Sequence, residues 1–362
     1  MRTTKNQSEL SLAQLQQLAD QIKLWGEPLG LQAIGISDTN LEQAEEILQR
    51  WLDQDMHGDM QWMASHGSKR SRPTELEPGT VRVISARMDY LPEDMQQAEA
   101  VLHTPQQAYV SRYALGRDYH KLLRKRLQQL ANQIEQQIGP FGYRVFVDSA
   151  PVLEKPLANK AGLGWMGKHT NILNRESGSW FFLGEIYTNL PLPIDAVSDN
   201  HCGTCTSCID ICPTDAIIAP YQLDARKCIS YLTIELRGSI PLEYRKAIGN
   251  RIYGCDDCQL TCPWNRFAQI TRESDFLPRH QLHDIALTEL FGWDEATFQR
   301  NMEGSAIRRI GYACWIRNIA VALGNAPSSP EIIHALEVRK DDNSALIREH
   351  VLWALEQHQC PA

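Results

Sequence analysis

Long hydrophobic segments are missing from this 362-residue chain, although 43% of its residues are hydrophobic. No apolar run approaches the roughly 18 to 20 residues that a membrane-spanning helix needs. The first ten residues are polar and lack the apolar centre of a secretory signal peptide. These absences predict a cytoplasmic protein with no membrane partner, whose cysteines stay reduced. The length suffices for about two or three domains with a substantial core.

Positive charge is also scarce, since 36 Lys and Arg residues face 44 Asp and Glu residues and give a net charge of −8. The overall composition therefore does not indicate a nucleic-acid partner, and any RNA contact must come from local basic patches. The candidate patches are Arg117, Lys121, Arg124, Lys125 and Arg126, and farther on Arg308, Arg309 and Arg317. Such clusters are usually solvated helix faces. Two of them beside a predicted repeat domain favour an RNA-binding surface more than a single cluster would.

The sequence has no Walker loop, and its one formal G-x-G-x-x-G stretch, Gly162 to Gly167, follows a predicted helix rather than a strand. A dinucleotide site is therefore disfavoured, which leaves a tight loop or a backbone cradle for a large planar cofactor. A D-x-H-x-x-G corrinoid motif also fails, because Leu123 occupies the glycine position after Asp118 and His120. A histidine ligand to cobalt is not supported, and we predict His120 to be a polar residue at a helix start.

Cysteine, by contrast, is concentrated, since eight of the ten cysteines lie between positions 202 and 262. The first run, Cys202-x2-Cys205-x2-Cys208-x3-Cys212-Pro213, has the spacing of bacterial ferredoxins. The second run begins with Cys228 and resumes after a 26-residue insertion as Cys255-x2-Cys258-x3-Cys262-Pro263. Zinc sites prefer separate cysteine pairs, and disulfides need an oxidising compartment. The spacing therefore predicts two [4Fe-4S] clusters.

Cross-ligation, in which the last thiolate of each run serves the other cluster, divides these cysteines into two sets. One cluster is assigned to Cys202, Cys205, Cys208 and Cys262, and the other to Cys212, Cys228, Cys255 and Cys258. Cys314 and Cys360 remain outside both sets. Because Cys314 lies in an apolar helical pattern, we predict a small core residue there rather than a ligand.

Hydrophobic periodicity predicts an α/β region through about residue 195. The predicted helices cover 12–26 (with Ser11 as cap), 41–53, 119–138 and 151–161, and the predicted strands cover 31–37, 79–90, 142–148 and 180–188. The chain after about residue 285 is predicted to be helical, and Ile307-Arg308 and Ile347-Arg348 recur 40 residues apart, as in HEAT-type repeats. We predict an α/β catalytic domain over 1–197, a ferredoxin-like two-cluster domain over 198–268 and a HEAT-like helical domain over 269–362.

Asp148 is a candidate catalytic residue, because it ends a predicted strand and precedes Ser149-Ala150-Pro151 at a predicted helix start. A carboxylate at this position serves equally well as a catalytic group or as a helix N-cap. Burial of the site would raise the pKa of Asp148 and make it a proton donor.

Several longer stretches are distinctive beside the cysteine set. They are Arg112-Tyr-Ala-Leu-Gly-Arg-Asp-Tyr-His120, Val147-Asp-Ser-Ala-Pro-Val-Leu-Glu-Lys155, Gly162-Leu-Gly-Trp-Met-Gly-Lys168, Gly178-Ser-Trp-Phe-Phe-Leu-Gly-Glu185 and Arg308-Arg309…Trp315-Ile-Arg-Asn318. Together with the cysteine set, these stretches closely resemble the epoxyqueuosine reductase family. The resemblance covers about residues 10–360. Many ferredoxins share the cysteine spacing, but its combination with the Asp148 stretch is highly specific. Ser149-Ala150 departs from the Thr-Gly that is frequent in the family, although these residues are similarly small.

The resemblance implies an α+β or α/β, reductive-dehalogenase-like catalytic fold, base-off cobalamin and a tRNA substrate with epoxyqueuosine at the wobble position. The implied reaction, the last step of queuosine biosynthesis, removes the epoxide oxygen as water with electrons that an external low-potential donor supplies through the clusters. Asp148 is the implied proton donor. Cobalamin contacts are assigned to Tyr113, His120, Lys168, Asn171, Ile172, Leu183 and Ser230, and tRNA contacts to Lys125, Arg126, Arg308 and Arg309. The protein is expected to act as a monomer.

Two other functions stay open on the sequence. A corrinoid iron–sulfur reductase of a small molecule, such as a dehalogenase, needs no basic helical surface and often carries a twin-arginine export signal, which the N-terminus lacks. A simple two-cluster electron carrier does not need the 197 residues of predicted α/β domain that precede the cysteines. A visible spectrum after reconstitution, with and without cobalamin, separates these functions.

Overall fold

The computed structural model describes residues 10–359. The strands are β1 (Ala33–Ser37), β2 (Arg82–Asp89), β3 (Tyr109–Val110), β4 (Tyr143–Phe146), β5 (Trp165–Met166), β6 (Ile172–Leu173), β7 (Phe181–Thr188), β8 (Ile217–Ala219), β9 (Gln222–Leu223) and β10 (Arg251–Tyr253). The α-helices are α1 (Leu12–Gly26), α2 (Glu42–Asp53), α3 (Pro73–Leu76), α4 (Met95–Leu102), α5 (Tyr119–Ile138), α6 (Glu154–Lys160), α7 (Ser207–Asp210), α8 (Ile229–Ile234), α9 (Leu242–Ile248), α10 (Asp257–Leu260), α11 (Leu287–Phe291), α12 (Glu295–Asn301), α13 (Gly311–Asn325), α14 (Pro330–Val338) and α15 (Ala345–Gln359). The 3₁₀ helices are Glu27–Leu29, Gln61–Met63, Gly67–Arg70, Arg112–Ala114, Ala225–Lys227, Pro263–Phe267, Ser274–Phe276 and Ala306–Ile310.

A four-stranded sheet with the order β1-β2-β7-β4 forms the centre of the N-terminal half. Each neighbouring pair in this sheet is antiparallel, so the region is α+β rather than a doubly wound parallel fold. The register places Ile84 of β2 opposite Ile36 on one side and Ile186 on the other, which gives one face a continuous apolar strip. The four predicted strands are confirmed, each somewhat shorter than expected.

Helices cover both faces of this sheet because the side chains of β2 alternate between them. Ile84 and Met88 point into the core that α1 and α5 share, whereas Val83 packs with Leu157 of α6 on the opposite face. The helix α1 begins with a capping box between Ser11 and Gln14, and α5 has the predicted bounds. The central sheet therefore has α1 and α5 on one face and α6 on the other.

The connection between β4 and α6 is longer than the sequence predicts. The strand ends at Phe146 and the helix begins at Glu154 rather than at Pro151. The reason is a pair of tight bends, in which the backbone N–H of Ser149 donates to Val147 and that of Val152 donates to Ala150. Asp148 therefore lies in a loop, two residues beyond the strand, and does not act as the N-cap of α6.

The glycine-rich stretch leads into the antiparallel hairpin β5–β6. A Cβ atom on Gly164 would collide with the carbonyl oxygen of Leu173, and one on Gly162 would collide with that of Ala196. Gly162 also has a φ of +75°, a left-handed conformation that glycine adopts without strain. These glycines therefore allow the hairpin to pack closely, as in the tight-loop interpretation.

The cysteine-rich region is tied to the parts of the chain on either side of it. The strand β10, which lies in the insertion between Cys228 and Cys255, pairs in parallel with β3. From the C-terminal helices, the buried guanidinium of Arg317 donates to the carbonyl oxygens of Leu232, Leu236 and Gly238. The predicted place of Arg317 in a basic surface patch is therefore wrong, because this side chain is 0% exposed and satisfies backbone groups of the insertion.

The C-terminal region is helical, as predicted, and α13 and α15 pack against each other along their length. Cys314 is buried in this core, as expected for a small apolar residue. The two recurring isoleucines are both buried, but Ile307 lies in a 3₁₀ helix before α13 and Ile347 lies in the first turn of α15. The assignment to HEAT-type repeats and the three domain boundaries stay predictions. Cys360 lies outside the described residues.

Candidate active site

A cavity of about 420 Å³ lies where α5, the β4–α6 loop, the cysteine-rich insertion and the 3₁₀ helix Ala306–Ile310 meet. Its wall includes Tyr113, Tyr119, His120, Asp148, Lys155, Cys228, Ser230, Glu235 and Arg309. The cavity therefore brings together an acid–base group, a cysteine of the second predicted cluster and one of the arginines assigned to tRNA.

His120 is held between two carboxylates at the start of α5. Asp118 caps the helix by accepting the backbone N–H of His120, and its Oδ1 atom lies 2.5 Å from the Nδ1 atom of the same residue. The Nε2 atom of His120 lies 2.9 Å from Oδ2 of Asp148. Burial works against the charged ring, but the hydrogen bonds to Asp118 and Asp148 raise the pKa of His120 to about 9. The ring is therefore an imidazolium at neutral pH, and neither nitrogen has a lone pair for a metal.

Asp148 has the opposite protonation state from the one the sequence predicts. Burial acts to raise the pKa of Asp148, but the hydrogen bond and positive charge of His120 outweigh it and lower that pKa below its usual value. The proton of the pair therefore rests on His120, and Asp148 is its ionised partner. Asp148 also has a φ of +42°, a left-handed conformation that Asp and Asn tolerate better than most residues.

Two cations complete the wall of the cavity. Lys155 donates to the carbonyl oxygen of Thr170 at 2.9 Å and to Oδ1 of Asn171 at 3.1 Å, and burial lowers its pKa. Arg309 donates to Glu235 at 3.0 Å, while half of its side chain stays exposed. Arg309 therefore presents a positive charge at the rim of the same cavity that contains Asp148.

The residues assigned to cobalamin separate into three places. Tyr113, His120 and Ser230 line the cavity, and Asn171 is bound to Lys155 in its wall. The Nζ atom of Lys168 instead donates to the carbonyl oxygens of Gly203 and Cys205, beside the first cysteine run. Ile172 and Leu183 pack with Phe181 in a small apolar cluster and are not among the described residues that line the cavity.

The first set of cysteines surrounds a separate cavity of about 250 Å³. It is lined by Cys202, Cys205, Cys208 and Cys262, together with residues that include Lys168, His169, His201 and Trp264. Burial, and then the thiolates of Cys262, Cys202 and Cys205, raise the pKa of Cys208 to about 11. These four side chains therefore converge as the spacing predicts. Cys205 is exposed, which places this set near the protein surface.

The second set of cysteines lies beside the larger cavity. Burial, followed by the charges of Asp257, Cys228 and Cys258, raises the pKa of Cys255, and the charge of Cys212 acts on Cys228 in the same way. Cys208 in turn acts on Cys258, so the two sets are neighbours. Among residues 10–359, no three Cys, His, Asp or Glu side chains are arranged around a single metal ion. The cross-ligation assignment stays a prediction.

The four residues assigned to tRNA differ in their surroundings. Lys125 is exposed on α5, and Arg308 is exposed and donates to Gln299. Arg126 is partly buried in an ion pair with Glu273 at 3.0 Å. Of these four residues, all in the described part of the chain, only Arg309 lines the cavity.

The sequence analysis missed Asp118, Glu154, Lys155 and Glu185 as parts of the site. The backbone N–H of Asp148 donates to Oε1 of Glu154 at 2.6 Å. Glu185 is a fully buried carboxyl group in the sheet, and burial raises its pKa well above the usual value. A usable signal existed for Glu185, because it interrupts an otherwise apolar strand at 181–188.

The chain is similar to known proteins along most of its length. The family model described as "Epoxyqueuosine reductase QueG, DUF1730" matches residues 70–149, and one described as "4Fe-4S double cluster binding domain" matches residues 201–265. Epoxyqueuosine reductase of Pseudomonas aeruginosa is 61% identical over 94% of each chain. The one of Escherichia coli is 59% identical over 95% of this chain and 90% of its own.

Solved structures give the same result. An epoxyqueuosine reductase with a tRNA-Tyr epoxyqueuosine-modified stem loop has a TM-score of 0.84 at 26% identity and covers 96% of this chain and 91% of its own. The enzyme of Streptococcus thermophilus has a TM-score of 0.83 at 27% identity over 94% and 90% of the two chains. No helix among residues 10–359 is long and apolar enough to cross a membrane.

Fold and site together define an oxidoreductase that has a two-cluster iron–sulfur module beside an acid–base cavity. Within that class, the chain belongs to the epoxyqueuosine reductase family.

Proposed function

We propose that this protein reduces epoxyqueuosine to queuosine at the wobble position of tRNA, the last step of queuosine biosynthesis. The observation that carries the proposal is the His120–Asp148 pair, which lines a cavity that Cys228 also lines. The reaction consumes two electrons and two protons, converts the epoxide to an alkene and releases its oxygen as water. It therefore needs an electron path and a proton source at one place.

The two cysteine sets support an electron path of this kind. The set that includes the exposed Cys205 lies near the surface, and the set that includes Cys228 lies at the cavity wall. An external low-potential donor would deliver electrons singly to the first cluster, from which they pass to the second. Thiolates are the ligands that [4Fe-4S] clusters require, and eight of them fit two clusters.

Cobalamin is the cofactor that we assign to the larger cavity. Among the described residues that line the cavity, the one histidine is His120, and carboxylates engage both of its ring nitrogens. This donor set fits a cobalamin that lacks a protein histidine ligand, with Tyr113 and Ser230 as wall contacts. When bound, cobalamin supplies the reducing power that breaks the carbon–oxygen bond.

The protein residues supply the proton chemistry. The imidazolium of His120 holds a proton directed at Oδ2 of Asp148, and Asp148 faces the cavity. Asp148 would pass this proton to the epoxide oxygen as negative charge develops there, which is general acid catalysis. His120 would then reload from solvent, since its pKa of about 9 favours the charged form at neutral pH.

The tRNA would approach over the rim that contains Arg309. The structural relative with an epoxyqueuosine-modified stem loop shows that a protein of this fold accepts such an RNA. Lys125 and Arg308 offer exposed charge for its phosphates, whereas Arg309, which lines the cavity, would contact the modified nucleotide. We further propose that the protein works in the cytoplasm as a monomer.

Anaerobic turnover tests this function directly. Protein reconstituted with iron, sulfide and cobalamin, and supplied with a chemical low-potential reductant, should convert epoxyqueuosine tRNA to queuosine tRNA, measured by nucleoside mass spectrometry. Protein without cobalamin, and tRNA that already contains queuosine, are the controls. Reduction of halogenated phenols but not of the modified tRNA would support the small-molecule reductase instead, and cluster reduction without any product would support the electron carrier.

A further inference from the structure

The turn of the β5–β6 hairpin contacts the walls of both cavities. Lys155, which lines the larger cavity, donates to the carbonyl oxygen of Thr170 and to the side chain of Asn171 in this turn. Lys168 and His169, in the same turn, line the smaller cavity that the first cysteine set surrounds. The turn therefore places an amine and an imidazole beside the thiolates of the first set.

The smaller cavity fits a [4Fe-4S] cluster, because all four cysteines of the first set line it. One-electron reduction adds a negative charge to such a cluster, which four thiolates already make anionic. A nearby cation that water does not screen stabilises the reduced form more than the oxidised form, and it raises the reduction potential. The charges that line this cavity therefore affect how readily the first cluster accepts an electron.

The ammonium group of Lys168 is a buried cation at this cavity. Its Nζ atom donates to the carbonyl oxygen of Gly203 at 2.8 Å and to that of Cys205 at 2.9 Å, both in the first cysteine run. Lys168 is 9% exposed, and no carboxylate among residues 10–359 forms an ion pair with it. Its positive charge is therefore poorly screened by water and has no counter-ion in the described part of the chain.

The other basic side chains that line the cavity have different surroundings. Arg266 is exposed, and its guanidinium lies over the ring of Phe267, 4.6 Å from the ring centroid. His169 accepts the backbone N–H of Asn171 at Nδ1, so this nitrogen keeps its lone pair and the ring is neutral. His201 packs against two tryptophan rings. Among the described residues that line this cavity, Lys168 is therefore the one buried lysine or arginine.

We propose that Lys168 raises the reduction potential of the first cluster and thereby favours the entry of electrons from the external donor. The two carbonyl acceptors hold the ammonium in the first cysteine run, and the N–H of Tyr221 donates to the carbonyl oxygen of Lys168 itself. The step is a one-electron transfer, in which the donor is oxidised and the cluster is reduced. The inference goes beyond the proposed function, because it concerns the cluster alone and is independent of the substrate.

Three substitutions separate the charge of Lys168 from its hydrogen bonds. Lys168→Met keeps an unbranched side chain without charge, Lys168→Gln keeps a neutral N–H donor, and Lys168→Arg keeps the charge. We expect the equilibrium constant for reduction of the first cluster to fall about tenfold in the Met and Gln variants, which corresponds to about 59 mV for one electron. The Arg variant should stay near the wild type, and the second cluster should change much less.

Potentiometric titration followed by electron paramagnetic resonance measures the potentials of both clusters in the absence of tRNA and cobalamin. The matched control is Lys340→Met, which removes an exposed lysine beyond the end of α14. Iron content is measured on every variant, so that each potential refers to a fully assembled protein.

Three results overturn the inference. An unchanged first-cluster potential in both neutral variants would show that the charge does not act on the cluster. A wild-type potential in Lys168→Gln but not in Lys168→Met would leave Lys168 only a tether of the cysteine run. Loss of about half of the iron from both neutral variants would assign Lys168 to cluster assembly instead. Failure of the proposed function looks different, because the wild type would then form no queuosine while these potentials still shift.

Discussion

The Nε2 atom of His120 lies 2.9 Å from Oδ2 of Asp148, and this contact connects α5 to the β4–α6 loop. Asp118 binds the other nitrogen and also caps α5, so both ring nitrogens of His120 are engaged by carboxylates. Of the two carboxylates, Asp148 is the one that lines the cavity. Under the proposed function, the proton of His120 would therefore leave through Asp148.

Substitution of Asp148 tests the last step of that transfer. Asp148→Asn keeps the size and tolerates the left-handed backbone, but it cannot carry the proton. We expect single-turnover reduction of epoxyqueuosine tRNA to slow by roughly 10²- to 10⁴-fold, the usual value of a general acid. Iron content and the cobalamin spectrum should match the wild type. Turnover near the wild-type rate would rule out Asp148 as the proton donor.

The raised pKa of His120 predicts a pH-dependent contribution to stability. The pKa is about 9 in the folded protein against a usual 6.5, so the contribution is complete below about pH 6.5 and is lost as the pH rises through about 9. At about 1.4 kcal/mol per pKa unit, its upper bound is roughly 3.5 kcal/mol. The thermal midpoint of anaerobic protein should exceed that of His120→Gln at neutral pH, and the difference should shrink on the alkaline side. A difference between the two thermal midpoints that does not change with pH would contradict a charged His120 in the folded protein.

The two cysteine sets predict the iron content of variants. Anaerobically purified wild type should contain about eight iron and eight sulfide per chain, from two cubanes. Cys228→Ala should lose about half of this iron and keep the first cluster, because Cys228 belongs to the second set alone. Cys314→Ala should keep all of it, since Cys314 lies in the helical core. Stoichiometric zinc, or iron loss in Cys314→Ala, would refute the assignment.

Basic side chains outside the cavity should contribute to RNA affinity without affecting the cofactors. Charge reversal at Lys125 or Arg308 should weaken tRNA binding and make its salt dependence less steep, because each removes about one phosphate contact. Arg126→Glu should have a further cost in stability, since Arg126 is paired with Glu273. Titrations by fluorescence anisotropy at several salt concentrations measure this, with Lys340→Glu as a matched control. Unchanged affinity would identify the patches as solvated faces.

The buried Arg317 predicts a large effect on stability. Its guanidinium donates to three carbonyl oxygens of the insertion, at 2.7 to 2.9 Å. Arg317→Leu leaves these acceptors unpaired, and each unsatisfied group costs about 1–3 kcal/mol. We expect a loss of at least about 3 kcal/mol in the free energy of unfolding. Arg308→Leu, on the exposed surface, should stay within about 0.5 kcal/mol of the wild type.

Local patterns in the sequence predict much of this fold. The predicted bounds of α5 match the structure, and the cysteine spacing predicts which thiolates of the first set converge, because both depend largely on residues close in sequence. The antiparallel order of the sheet depends on distant pairings, such as that of Phe146 with Glu185, and periodicity does not specify these. The predicted start of α6 at Pro151 is wrong, because proline suits a tight bend as well as the first turn of a helix.

The site shows the same division. Asp148 stands out in a short motif, but the direction of its pKa depends on His120, which the fold brings from α5. Arg317 looks like a surface cation from its neighbours in sequence, and only the packing of α13 on the insertion shows that it is a buried donor. The roles of residues that depend on contacts distant in sequence are therefore the ones that sequence patterns do not predict.

The pairing of β3 with β10 has a consequence for synthesis of the chain. The hydroxyl of Tyr109 donates to Asp256 across a sequence separation of 147 residues, next to this strand pair. During translation, β3 leaves the ribosome long before its partner exists, and contacts of such separation form late in folding. The catalytic sheet can therefore assemble first, while the wall that contains Cys228 is still absent.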